Sequence, residues 1–123
     1  MSYLTDLKRA TGHGSAREGT HRHWTMTKSS VALLLLTPLF VFTFGPMLGR
    51  PHLEVIVYFS QPFPAIVAAL MIMTGFMHFK NGIQVVIEDY VDQPGREWAI
   101  ILTTVLSYAA AAAGVFAIAK IAL

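Results

Sequence analysis

The sequence predicts an all-α membrane protein of three transmembrane helices with its N-terminus in the cytoplasm, and three observations carry that expectation. Of 123 residues, 54% are hydrophobic and 13% charged, where an ordinary soluble domain carries about 25% charge. Residues 29–49, 61–79 and 99–119 contain no Lys, Arg, Asp or Glu, and each run approaches or exceeds the roughly 20 residues needed to cross about 30 Å of hydrocarbon. Lys8, Arg9, Arg17, Arg22 and Lys28 precede the first run, whereas Arg50 alone lies between the first and second. Such an excess holds a flanking segment on the cytoplasmic side.

Residues 1–28 read as a basic cytoplasmic tail, with Gly12, Gly14 and Gly19 making a flexible arm, and residues 29–123 as the transmembrane domain. The first helix is expected over 29–49, loosened at Pro38 and ended by Gly45-Pro46 and Gly49-Arg50-Pro51. Residues 51–60 are too short to span and form an interfacial connector. The second helix starts near Pro62 or Pro64 and runs to about residue 88, since proline is tolerated in a first helical turn. Asp92-Gln93-Pro94-Gly95 is a turn in which Asp92 fits a helix N-cap and Glu97 the first turn beyond it. The third helix covers about 97–121. Ala110 and Gly114 give it a small-xxx-small pair suited to close helix approach in lipid.

Composition narrows the chemistry. No cysteine is present, so this chain supplies no disulfide, thiolate or iron–sulfur ligand. Basic residues are not interleaved with aromatics along a stripe, so nucleic acid is not a partner. A redox centre held here must use histidine or methionine. Met71, Met73 and Met77 lie in the second span, where methionine is far more often adaptable packing than a ligand.

His78 is the one histidine inside an uncharged run, and an ionisable side chain at membrane depth marks a functional site. Asp89 follows eleven positions later on the same expected helix. At about 100° per residue that is close to three whole turns, so the two share a face about 16 Å apart along the axis. Gly75 and Gly82 flank His78 at i−3 and i+4. Two residues of poor helix propensity there suit a flat group approaching the backbone, such as a porphyrin. The competing reading is a histidine hydrogen-bonded to a neighbouring helix beside ordinary glycine packing. Tyr90 and Asp89 likewise have a bland reading as interfacial residues. Ser29 and Ser30 are expected in core or capping roles, with a place near a bound quinone as the alternative.

The order Gly75, His78, Gly82, Val86-Ile87, Asp89-Tyr90, together with His23-Trp24 and a basic residue before the first span, resembles the D-type membrane anchor subunits of bacterial succinate dehydrogenase (complex II). The resemblance covers roughly residues 20–123. It implies that His78 is an axial ligand of haem b, shared with a C-type cytochrome b anchor subunit against which this chain packs. Tyr90 would hydrogen-bond ubiquinone, and Asp89 would orient that site or deliver protons to it. Lys28 stands where the family has arginine, so a contact to a haem propionate would be a point charge rather than a bidentate fork. FAD and the iron–sulfur clusters would lie in a flavoprotein and an iron–sulfur subunit. The location implied is the bacterial inner membrane. A fumarate reductase anchor is the nearest rival, and a small non-redox adaptor or transporter subunit is a rival of another class.

Overall fold

The computed structural model describes residues 5–11 and 18–123. Five α-helices follow one another: α1 Asp6–Thr11, α2 Glu18–Phe44, α3 His52–Phe59, α4 Pro62–Tyr90 and α5 Gly95–Ala122. Three segments are long and apolar enough to cross a membrane: Thr20–Met47, Pro62–Tyr90 and Gly95–Ala122. The three-span expectation is met. The proposed arm at Gly12 and Gly14 lies outside the described residues, whereas Gly19 is part of α2.

α2 starts well before the first uncharged run. In its polar N-terminal half the hydroxyls of Thr25, Thr27 and Ser30 donate to carbonyls one turn back, which satisfies them without water. Pro38 sits inside α2 without ending it. A single 3-10 turn at Gly45–Met47 and a left-handed Gly49 (φ +76°) then turn the chain toward α3.

α3 is the short connector. Arg50 reaches Glu54 at 3.9 Å across its first turn, and Phe59 is buried at its end, against Tyr58 and Phe44. α4 begins on Pro62, with Pro64 inside its first turn. In the turn that follows, Asp92 is not the N-cap. Pro94 occupies that position, two residues on, and the Asp92 carbonyl instead accepts the Arg96 N–H at 3.1 Å. Arg96 Nε closes the turn by donating to the Val91 carbonyl at 2.9 Å. Glu97 lies in the first turn of α5, as expected.

α4 is the middle of a row, packing against α2 on one side and α5 on the other, with α3 against α4 and α5. Gly114 explains the close approach of α5: a Cβ built there would lie 2.9 Å from Ile72 Cγ2. The chain's own core is small, consisting of Phe59, Ala65, Val67, Ala68 and Ile87, with Thr43 and Ser107 as buried polar residues. Both hydroxyls bond back to helix carbonyls. Most large apolar side chains face outward, a surface suited to lipid and to other membrane helices.

Candidate functional site

His78 lies on α4, half-buried, on the flank turned toward α2. Its Nδ1 is 3.0 Å from Ser29 Oγ, and the same Oγ is 2.8 Å from the Met26 carbonyl. The Met26 carbonyl also accepts the Ser30 hydroxyl at 2.9 Å, so the Ser29 proton has two acceptors within reach, Met26 and Nδ1, and the direction of the Ser29–His78 bond follows the tautomer of the ring. With the ring proton on Nδ1, Ser29 Oγ is its acceptor and Nε2 keeps the lone pair with which an imidazole ligates a metal. His78 is thus bonded to the neighbouring helix through Nδ1.

The two flanking glycines differ. Nothing lies within 4 Å of a Cβ built on Gly75, while one on Gly82 would meet Met26 Cε at 3.3 Å. Gly75 opens on an apolar groove lined by Met71, Ile72, Phe76 and Phe79, and Gly82 accommodates α2. His78 is one turn on from Gly75 and outside the groove's lining; an imidazole one turn from an open apolar groove suits a haem that takes a single ligand from this chain. Among the described residues no group of three or more His, Asp or Glu side chains gathers to hold a bare metal ion.

Asp89 and Tyr90 end α4 at the edge of the α4–α5 turn, and both are exposed. Tyr90 is 83% exposed, and among the described residues its hydroxyl has no hydrogen-bond partner. Lys28 is exposed and, with Ser29, Thr74, Met77 and Asn81, lines a cavity of about 310 Å³ in the α2–α4 seam. A second cavity of about 280 Å³ lies next to it toward the helix ends, lined by Arg22, His23, Met26, Asn81 and Gln84.

Sequence reasoning missed a clamp beside this second cavity. Arg22 Nη1 meets Glu88 Oε1 at 2.6 Å, and Gln84 Nε2 donates to the same oxygen at 3.0 Å. It joins the N-terminal half of α2 to the last turn of α4, immediately before Asp89. The Gln84–Glu88 spacing was visible on one helix; its partner sixty-six positions away was not. Ser29, expected in a core or capping role, also reaches His78 forty-nine positions away, a partner its own neighbourhood in the sequence did not reveal.

The family model described as succinate dehydrogenase/fumarate reductase transmembrane subunit matches residues 1–117. A succinate dehydrogenase hydrophobic membrane anchor subunit from Paracoccus denitrificans is 42% identical over 123 residues, covering 100% of this chain and 95% of the relative. One of the same description from Rickettsia bellii is 28% identical over 90 residues, 72% of this chain and 71% of the relative. No solved structure matches the chain.

Proposed function

The chain belongs to the succinate dehydrogenase/fumarate reductase transmembrane subunit family, and from that premise we propose how its residues serve a membrane anchor of succinate:ubiquinone oxidoreductase. It is a multi-pass protein of the bacterial inner membrane. Both relatives carry the succinate dehydrogenase description, which favours the succinate-oxidising direction over fumarate reduction. Membership also leaves the non-redox adaptor without support.

In this reading His78 would hold haem b through its imidazole, jointly with a C-type anchor subunit packed on the open face of α4. Haem b would supply a one-electron centre within the membrane. Ser29 holds the imidazole through Nδ1, and Gly75 keeps the adjacent turn free of side-chain bulk. The Lys28 ammonium would offer a point charge to a propionate.

Tyr90 presents its free hydroxyl to a ubiquinone carbonyl oxygen and donates a hydrogen bond to it. Asp89, next to it, orients the site or passes a proton toward the quinone oxygen. The Arg22–Glu88–Gln84 clamp fixes the last turn of α4, so both side chains project from a rigid helix end. That end is cytoplasmic, where the iron–sulfur subunit docks and brings electrons from the flavoprotein. FAD and the clusters lie in those two subunits, and this chain alone has no turnover.

The observation that carries this reading is the His78 imidazole, held at Nδ1 by Ser29 of the neighbouring helix, on the same helix as Asp89 and Tyr90. The test is a reduced-minus-oxidised spectrum of the complex purified through this chain. His78→Leu should lose or strongly perturb the b-type bands. An unchanged spectrum with full haem content removes His78 as the ligand.

A further inference from the structure

We propose that Ser29 is a positioning residue for the membrane haem: it acts through His78, fixing the ring's rotation and its tautomer from the neighbouring helix. The proposal rests on the reading of His78 as a haem ligand.

Among the hydroxyls near the start of the first span, Thr25, Thr27 and Ser30 satisfy themselves on α2's own carbonyls. Ser29 does that and also reaches α4, at 3.0 Å from His78 Nδ1. When the ring ligates through Nε2 its one proton is on Nδ1, and Ser29 Oγ at 3.0 Å is then the acceptor for it. An imidazole held this way cannot turn about χ2 to exchange its nitrogens without losing the bond. Metal-ligating histidines generally donate their second ring N–H to such an acceptor, which fixes the tautomer and raises the basicity of the ligating nitrogen. Here the acceptor comes from a different helix, so the seam between α2 and α4 and the electronics of the ligand are one structure. Both residues are half-buried, which limits replacement of the hydroxyl by bulk water.

The sign of the effect follows. A more basic ligating nitrogen donates more electron density to iron and favours its oxidised form. Removing the acceptor weakens that donation and favours the reduced form, because hydrogen bonding around the axial ligand is one of the protein's controls on haem potential. Ser29→Ala should therefore raise the midpoint potential.

The experiment uses the whole complex purified through this chain, with Ser29→Ala, Ser29→Thr and His78→Leu, and reads haem content, the b-type spectrum and the midpoint potential. Support is a more positive potential in Ser29→Ala that returns toward wild type in Ser29→Thr, which restores the hydroxyl. Haem loss in Ser29→Ala with retention in Ser29→Thr also supports it. A wild-type potential and spectrum in Ser29→Ala overturns the proposal. So does an equal change in Ser29→Ala and Ser29→Thr, since packing and not the hydroxyl would then be responsible. If His78→Leu keeps its haem, the ligand reading itself has failed; if that variant loses haem while Ser29→Ala matches wild type, only the role of Ser29 has.

Discussion

Alanine at Gly75 separates two accounts of the open face of α4. Within the chain a Cβ at this position meets no atom within 4 Å, so the substitution strains nothing internal. It should instead stabilise the helix by roughly 1 kcal/mol, the usual difference in propensity. Where a porphyrin lies against this turn, the same methyl is one carbon too many, and overpacking of that kind costs about 1–3 kcal/mol. At about 1.4 kcal/mol per ten-fold, haem affinity should fall by roughly 5- to 150-fold. Gly114→Ala is the comparison. Its new methyl would stand 2.9 Å from Ile72 Cγ2, inside the roughly 3.5–4.0 Å of a good carbon contact, so it should weaken the α4–α5 packing and leave the b-type spectrum unperturbed. The assay is haem per complex by pyridine haemochrome, alongside the thermal midpoint of the complex in detergent. Full haem content and a wild-type spectrum in Gly75→Ala would refute the reasoning and make the open turn a lipid-facing or subunit-facing one.

Tyr90→Phe removes a hydroxyl that has no partner among the described residues, so stability should be unchanged. Succinate-to-quinone activity should fall ten-fold or more, at least about 1.4 kcal/mol in the barrier, while activity with an acceptor upstream of quinone stays intact; equal activities in both assays return Tyr90 to an interfacial role. Arg22→Gln breaks a half-exposed ion pair with Glu88, a class worth roughly 0.2–1 kcal/mol, and should lower the thermal midpoint slightly, more at low salt than at high; a salt-independent loss of several kcal/mol would contradict this. Reporters fused at the N-terminus and after Leu123 should be cytoplasmic and periplasmic respectively, and finding both on one side would rule out three spans.

The spans were legible because lipid imposes a length and excludes charge, two constraints that composition states directly. The proline start of α4 and the short non-spanning connector were legible for similar local reasons, though not that the connector is helical. The extension of α2 back to Glu18 was not. Nothing apolar announces it, and its tie to the rest of the fold is an ion pair to α4. The Asp92 cap failed because proline took the cap position and left the aspartate outside. His78 was picked out by the cost of an ionisable side chain at membrane depth and by its spacing from Gly75, Gly82 and Asp89, but its partner Ser29 is forty-nine positions away. Gly75 and Gly82 looked equivalent by spacing, and the side on which α2 packs makes them different. Periodicity describes one helix; which neighbour lies against which flank is a property of the assembled fold.

Because the spanning helices stand in a row with α4 between α2 and α5, energetic coupling should be confined to pairs that include α4. Met26 on α2 contacts α4 at Gly82, and Gly114 on α5 contacts it at Ile72, ten positions and roughly 15 Å along the same axis. Changes at Met26 and Gly114 should then be additive to within about 0.5 kcal/mol. Ile72→Ala combined with Gly114→Ala should not be, since shortening Ile72 makes room for the very methyl that strains it. A double-mutant cycle that found Met26 and Gly114 strongly coupled would mean that α2 and α5 sense each other through some route other than the helix between them.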